Sequence, residues 1–411
     1  MNDFNREAPR ARTDDERVAA ARASFRADLT RTAALHLEAC IHCGRCAEAC
    51  PFHLATGDAR YTPALKFQPL RRMERATLAD LEALQPLVYD SCTMCGRCTL
   101  ACPMAIDIAA LVGIARHALF AADLAPPDLR AVAERAHREG SPLGVTPQVL
   151  RERLEWIADE HDVTIPLDVA QAEVMLTLSS IEVMKYPDSV AAMARILASS
   201  GMKWTVRTAG YEATNFGMLA GAASWQREAT MKLVDAATAC GAKVVLVPEC
   251  GHAYSALRWQ GAAMAGRALP FRVLHVSEFL AECLESGRIH VKAAPGSVTF
   301  HDPCQVSRRG GATQAPRAVL AALGAELREP ESSGDLGFCC GGGGGVSANR
   351  RADPLRYAAF EMRIRQLEAP GSERMVTSCA NCRQSFDDGA AHAGREPGVG
   401  SLVELVAARL A

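Results

Sequence analysis

Eight of the sixteen cysteines form two copies of one motif in the N-terminal part of the chain. The first copy, CIHCGRCAEACP, begins at Cys40, and the second, CTMCGRCTLACP, begins at Cys92. A 4Fe–4S cubane needs four thiolates. Three of them come from the first three cysteines of one motif, and the fourth cysteine, just before the proline, binds the cluster of the other motif. The motif pair therefore predicts two cubanes. The ligands would be Cys40, Cys43, Cys46 and Cys102 for one cluster, and Cys92, Cys95, Cys98 and Cys50 for the other.

Zinc sites and structural disulfides are the alternatives for these cysteines. Zinc is typically held by pairs of Cys-x-x-Cys and needs neither a third cysteine at the same spacing nor a Cys-Pro. Residues 1–29 are charged throughout and have no apolar core, so we expect no secretory signal there. Clustered cysteines in a chain without such a signal bind metal more often than they form disulfides.

Five further cysteines follow a pattern of their own in the C-terminal part. Cys304 follows the predicted strand SVTFH, Cys339 and Cys340 form a vicinal pair, and Cys379 and Cys382 form a Cys-x-x-Cys after the predicted strand MVTS. Ligands bind at the carboxyl edge of a parallel sheet, because the ends of neighbouring strands meet there. All five cysteines are therefore candidates for one site at that edge.

The vicinal pair is followed by a run of five glycines. This run lacks the lysine and the Ser/Thr of a phosphate-binding P-loop, and it opens no dinucleotide-binding fingerprint. Glycines directly behind metal ligands allow a close backbone approach and direct N–H groups at sulfur. We therefore interpret Gly341 and Gly342 as cofactor-binding residues.

The elements that must position these cysteines change in character along the chain. We expect a helical extension over residues 1–34, a helical ferredoxin domain over 35–122, and a proline-containing linker over 123–168. Strands then alternate with helices, which indicates parallel sheets covered on both faces. Because AKVVLVPECGHAY matches ERMVTSCANCRQS, residues 169–290 and 291–411 are predicted to be a pseudo-duplicated pair of α/β halves. The expected fold class is α plus α/β.

In its five C-terminal cysteines the chain resembles the CCG, or cysteine-rich, domain family. The five C-terminal cysteines match its pattern Cx(31–39)CCx(35–38)CxxC. The family includes catalytic subunits of heterodisulfide reductase, iron–sulfur subunits of glycolate oxidase and anaerobic glycerol-3-phosphate dehydrogenase, and a subunit of the sulfite-reduction-associated membrane complex. The resemblance covers nearly the whole chain from residue 35. The resemblance to the heterodisulfide reductase branch implies that the five cysteines bind a third 4Fe–4S cluster. In that branch the cluster is not a cubane, and it reacts with disulfides.

The first α/β half departs from the family pattern. Val247 occupies the first place of its Cys-x-x-Cys, so only Cys250 remains, and the segment 210–217 stands where a vicinal pair would be. The string PECGHAYSALR is similar to the degenerate first half of the sulfite-reduction-associated subunit. We therefore expect this half to hold no cluster, and we favour the heterodisulfide reductase-like branch with one catalytic cluster.

Four residues outside the motifs are either functional candidates or core residues. Cys250 is a candidate redox contact facing the third cluster, or a plain buried cysteine. His252 is a candidate proton donor to a leaving thiolate, because its unperturbed pKa is near neutrality, or a packed core histidine. Cys240 and Cys283 lie on apolar helix faces and are interpreted as core residues.

The resemblance implies an oxidoreductase subunit that passes electrons through two cubanes to a site that reduces or forms a disulfide or trisulfide. The alternative is a non-catalytic subunit that links a flavin dehydrogenase, for glycolate, glycerol-3-phosphate or a similar substrate, to a quinone or cytochrome partner. The sequence contains no flavin- or nicotinamide-binding fingerprint, so that dehydrogenase would be a separate chain.

The charge and the apolar content of the chain limit the kinds of partner that we expect it to bind. A formal net charge of −2 and no sustained basic face argue against nucleic-acid binding. No apolar run reaches the roughly 18 residues that a transmembrane helix needs. We expect a cytoplasmic chain that reaches the inner membrane through a partner, such as a membrane cytochrome b subunit or a flavoprotein. The expected substrate is a disulfide or thiol, free or on a sulfur-carrier protein.

Overall fold

The computed structural model describes residues 12–293 and 296–411, so the first eleven residues of the expected helical extension lie outside the described part. Six helices build the N-terminal region: α1 (Asp14–Asp28), α2 (Arg31–Glu38), α3 (Pro51–Thr56), α4 (Leu78–Tyr89), α5 (Arg97–Ala101) and α6 (Ile108–Ala121). Thr13 and Thr77 begin α1 and α4 with capping boxes, which pair the first free backbone N–H groups. The apolar face of α1 packs on α6.

Residues 123–168 do not form an extended connection. They contain the helices α7 (Pro127–Glu139) and α8 (Pro147–His161). Each helix has its proline at the first position, where the missing N–H costs nothing, so these prolines start helices instead of interrupting them. Leu129 on α7 packs into the N-terminal core, whereas Leu154 on α8 packs into the α/β core.

Two four-stranded parallel sheets form the remainder. The first contains β1 (Val174–Leu176), β2 (Trp204–Val206), β3 (Val244–Val247) and β4 (Arg272–His275), in the order β2-β1-β3-β4. Its helices are α9 (Ser180–Lys185), α10 (Pro187–Ser199), α11 (Phe216–Ala220), α12 (Ala223–Ala239), α13 (Gly251–Ala265) and α14 (Val276–Glu285). The alternation of buried strands with helices places both faces of the sheet under cover.

The second sheet contains β5 (Ser297–His301), β6 (Glu326–Leu327), β7 (Arg374–Thr377) and β8 (Val399–Ser401), in the order β6-β5-β7-β8. Its helices are α15 (Ala315–Ala322), α16 (Asp353–Glu368), α17 (Ala380–His392) and α18 (Leu402–Ala407). Both sheets therefore follow the same strand order, and the expected mixture of a helical region with parallel α/β structure is confirmed.

One apolar core joins the two sheets. Leu176 and Leu246 of the first sheet and Phe300 and Val376 of the second belong to a single buried cluster. This shared core holds the two sheets together, because separating them would expose its apolar surface to water. Over the part of the chain that the structure describes, no helix has both the length and the apolar character needed to cross a bilayer.

Candidate metal centres

Two cavities in the N-terminal region are lined by four cysteines each. The first cavity is lined by Cys40, Cys43, Cys46 and Cys102, and the second by Cys50, Cys92, Cys95 and Cys98. In each, three thiols come from one motif and the fourth from the other. Within each motif, a glycine with a left-handed backbone angle, Gly44 or Gly96, turns the chain into a short helix. This donor set fits a cubane.

The two cavities differ in exposure. Residues 41–45, which carry Cys43 of the first cavity, are all exposed to solvent. The corresponding loop of the second cavity is covered by the C-terminal region, and Cys95 is only 8% exposed. The first cavity therefore opens to the surface, whereas the second lies inside the protein.

Lys66 lies in the wall of the second cavity and is 2% exposed. Its Nζ donates to Cys50 Sγ at 3.6 Å and to the backbone carbonyl of Ser91. Burial alone would lower the pKa of Lys66, but the nearby thiolates, that of Cys50 foremost, raise it above its ordinary value. Nothing in the local sequence singles out this lysine, because its burial depends on the tertiary packing around it.

The five C-terminal cysteines converge at the carboxyl edge of the second sheet. Cys304 follows β5, Cys379 caps α17, Cys382 lies in its first turn, and the vicinal pair Cys339–Cys340 lies in the loop before α16. All five are buried, and the Sγ atoms of Cys304 and Cys339 are 3.9 Å apart. Hydrogen bonds from Cys339 and Cys382 hold the pKa of Cys340 well below its ordinary value, which favours the thiolate that a metal requires.

His301 belongs to the same group, although no motif in the sequence marks it. One ring nitrogen lies within 4.8 Å of the sulfur atoms of Cys340 and Cys382. Nδ1 accepts a hydrogen bond from Arg363 Nε at 3.2 Å, whereas the buried Nε2 has no hydrogen-bond partner among the described residues. Its position at the end of β5, three residues before Cys304, was the sequence signal that could have identified it.

The glycine run packs tightly behind these cysteines. Gly341 has a φ of +91°, and its N–H donates to Cys339 Sγ at 3.5 Å. A Cβ on Gly342 would lie 1.8 Å from Ser385 Oγ on α17, so a larger residue there would force the Ser385 side chain to move. The run therefore places backbone N–H groups against sulfur, as expected of glycines behind metal ligands.

Cys250 and His252 lie at the start of α13. Cys250 is buried, and burial followed by the charge of Cys379 raises the pKa of its thiol far above the ordinary value. His252 Nε2 accepts the Gly344 N–H at 3.1 Å, and the ring also pairs with the Thr93 backbone. Burial, followed by the charges of Arg116 and Arg309, lowers the pKa of His252 to about 4, so the ring is neutral at pH 7.

The second cavity adjoins the C-terminal cysteines directly. The thiols of Cys95 and Cys339 interact, and this contact raises the pKa of Cys95. Gln305 Nε2 donates to the backbone carbonyl of Met94 at 2.9 Å, and Arg308 Nε donates to that of Cys95 at 2.9 Å. Three thiol-lined sites therefore form a series, from the surface through the second cavity to the C-terminal site.

Two family models match the chain. Residues 36–106 match the 4Fe-4S dicluster domain, and residues 298–387 match the cysteine-rich domain. The first match contains all eight motif cysteines, and the second contains the five C-terminal cysteines. The combination agrees with the division of the molecule into a helical region and an α/β region.

Curated relatives share this arrangement over most of the chain. The chain is 30% identical to the probable membrane-anchored ferredoxin of Chromohalobacter salexigens, with 93% of this chain and 61% of that protein aligned. It is 25% identical to a subunit of the dihydromethanophenazine:CoB–CoM heterodisulfide reductase of Methanosarcina barkeri, with 93% and 96% aligned. It is 28% identical to the EtfAB:quinone oxidoreductase of Syntrophomonas wolfei, with 86% and 55% aligned.

The chain thus spans little more than half the length of two of these relatives, but nearly the whole length of the Methanosarcina reductase subunit. This protein thus contains a 4Fe-4S dicluster domain and a cysteine-rich domain in one chain, and over most of its length it is similar to a heterodisulfide reductase subunit.

Proposed function

We propose that this iron–sulfur electron-transfer subunit acts on sulfur, by reducing or forming a disulfide or trisulfide at its C-terminal cysteines. The observation that carries the proposal is that Cys95 of the second cavity belongs to one buried cluster with all five C-terminal cysteines, which joins the second cavity to the C-terminal site. Five thiols are one more than the four that a cubane requires, which favours a cluster with chemistry of its own at this site.

Cubane clusters would be held by the eight cysteines of the two cavities, and a third cluster by Cys304, Cys339, Cys340, Cys379 and Cys382. When bound, the cubanes supply one-electron transfer, and the third cluster supplies a site where two electrons can be combined with sulfur chemistry. Gly341 would donate its N–H to a ligand sulfur, as it does to Cys339.

The exposed loop 41–45 would be the place where a redox partner docks. That partner is a membrane cytochrome b subunit or a flavoprotein, which would also bring the chain to the membrane. Electron tunnelling needs close approach, and only the first cavity opens to solvent. The docking site is therefore at the first cavity and not at the second, whose Cys95 lies in one cluster with the C-terminal cysteines.

Cys250 and His252 would support the C-terminal site in different ways. Cys250 approaches Cys379 from α13, so its thiol is the candidate contact for a sulfur substrate. His252 bridges the glycine run and the second motif loop through Gly344 and Thr93. Because both ring nitrogens are engaged and the ring is neutral, we assign it a positioning role instead of proton donation.

Disulfide-dependent oxidation of a reduced viologen dye tests this function. The anaerobic wild-type protein should oxidise the dye when a small disulfide is added, since two molecules of the one-electron dye supply the two electrons, and water the two protons, that convert one disulfide into two thiols. Cys339→Ser should remove this activity while the dicluster signals remain. Cys283→Ser, a buried cysteine on α14 outside the site, is the matched control and should retain it. Equal rates in Cys339→Ser and wild type would contradict the proposal.

The second candidate is a relay between a flavoprotein and a quinone, and the similarity to the EtfAB:quinone oxidoreductase favours it. In that case a soluble menaquinone analogue, not a disulfide, should oxidise the reduced protein. The two candidates are separated by adding each oxidant to the same reduced sample.

A further inference from the structure

Lys66 is enclosed beside the second cavity without a carboxylate partner among the described residues. Its Nζ contacts Cys50 Sγ at 3.6 Å and the Ser91 carbonyl, and it lies 5.9 Å from the Phe52 ring centroid. A buried ammonium group is costly unless an opposite charge or hydrogen bonds compensate it. The compensation available here is the set of thiolates that line the cavity.

Burial would otherwise make the second cubane the harder one to reduce. Reduction adds negative charge, which is disfavoured in a low-dielectric interior and tolerated at a hydrated surface. The first cavity opens to solvent at residues 41–45, whereas the second is covered. Without a compensating charge, electrons would therefore remain at the surface cluster.

The first cavity has no equivalent of Lys66. None of the described residues that line it is a lysine or an arginine. Arg45 and Arg97 occupy matching positions in the two motifs, but Arg45 is exposed, and Arg97 stacks on Phe338 at 3.5 Å from the ring centroid and donates to the Leu336 carbonyl. Arginines contact the motif backbone at both cavities, since Arg71 donates to the Cys40 carbonyl and Arg116 to the Cys92 carbonyl. Among the described residues, only Lys66 donates from a charged group to the sulfur of a motif cysteine, and this is the asymmetry between the cavities.

We propose that Lys66 raises the reduction potential of the cubane held by Cys50, Cys92, Cys95 and Cys98 relative to that of its neighbour, and so directs electrons inward. One electron leaves the first cubane, which is oxidised, and enters the second, which is reduced; no proton moves. The original donor is a one-electron redox protein. This inference rests on the two cubanes of the proposed function but not on the disulfide chemistry.

The test is an EPR-monitored redox titration with dithionite of the wild type, Lys66→Gln, Lys66→Met and Lys66→Arg. Cys43→Ser, in the exposed loop, assigns the signal of the first cubane. Lys66→Gln keeps an N–H donor but removes the charge, and Lys66→Arg keeps the charge. Lys232→Met, a substitution on α12 far from the motif cysteines in sequence, is the matched control.

We expect the midpoint potential of the second cubane to fall in Lys66→Gln and Lys66→Met, with that of the first unchanged. Lys66→Arg should retain most of the wild-type value. If Lys66→Met loses iron through misfolding, Lys66→Gln still decides the question. Unchanged midpoints in Lys66→Gln, or equal shifts in both cubanes, would overturn the inference. Absence of two cubanes in the wild type would instead show as low iron content and would overturn the proposed function.

Discussion

Arg308, four residues after Cys304, donates a hydrogen bond from Nε to the backbone carbonyl of Cys95 at 2.9 Å. Its Nη1 donates to the carbonyls of Asp335 and Gly337, just before the vicinal cysteine pair. One guanidinium thus ties three segments together: the second dicluster motif, the loop after β5, and the approach to Cys339. A planar group with several donors suits this role, because it satisfies several carbonyls in fixed geometry.

The glycine run should be intolerant of side chains at its contact with the dicluster domain. Gly344 has a φ of +63°, and a Cβ there would lie 2.7 Å from the carbonyl carbon of Thr93. Gly344→Ala should therefore force the two domains apart and lower both the thermal midpoint and the rate of electron transfer to the C-terminal site.

Gly371→Ala is the control for this substitution. Gly371 has nearly the same φ, +65°, but a Cβ there would meet nothing within 4 Å. Both variants carry the backbone cost of roughly 1–2 kcal/mol for a non-glycine residue in this region. The thermal midpoint should fall further in Gly344→Ala, and equal losses in the two variants would show that the contact with Thr93 is unimportant.

The C-terminal cluster should be separable from the cubanes. Cys340→Ser removes a central thiolate, so iron content should fall from about 12 to about 8 per chain while both cubane EPR signals survive. Cys240→Ser changes a buried thiol that donates to the Ala237 carbonyl and should leave iron content unchanged. Loss of the cubane signals in Cys340→Ser would disprove the assignment of separate sites.

Stability should fall as pH rises through the range set by Glu212. Burial raises the pKa of this carboxyl group to about 7, from an ordinary value of about 4.5. Below pH 4.5 Glu212 carries its proton in both the folded and the unfolded state, so its full contribution to the stability of the fold is present. Between pH 4.5 and 7 the unfolded state releases its proton while the folded state keeps it. The free energy of unfolding therefore falls by up to ~3 kcal/mol over this range.

Chemical denaturation at pH 5.5 and pH 8 checks this expectation. The difference between the two pH values should shrink in Glu212→Gln, whatever the absolute stability of that variant. Glu212 and Glu228 line one cavity beside α12, but the Glu228 side chain is 54% exposed. Glu228→Gln is therefore the control and should keep the wild-type difference. An unchanged pH dependence in Glu212→Gln would assign the effect to another group.

Local patterns in the sequence were enough to predict several strands and the grouping of the eight motif cysteines into two sites. Strands such as β1, β3, β5 and β7 are short, apolar and bounded by turn residues, and the alternation with helices required parallel sheets. The motif spacing brings three thiols of each cubane site from one segment, which is why the grouping could be proposed in advance. The proline-containing linker predicted over 123–168 includes two helices, α7 and α8, and each of them begins at a proline.

Residues that depend on long-range packing could not be predicted. Lys66 has no motif around it and reaches the second cavity only because the short helix over residues 63–66 folds beneath Ser91. Arg308 acts across more than two hundred residues of sequence. The neutral state of His252 likewise follows from enclosure between Thr93 and Gly344, whereas the sequence suggested a proton donor with a pKa near neutrality or a packed core histidine.

Iron analysis combined with EPR spectroscopy tests most directly whether the C-terminal cysteines hold a third cluster that reacts with thiols. Anaerobically purified protein is oxidised with and without a small thiol. We predict about 12 irons per chain and a paramagnetic signal on oxidation that changes when the thiol is added. About 8 irons, or a third signal indifferent to thiols, would contradict a thiol-reactive third cluster and favour an electron relay.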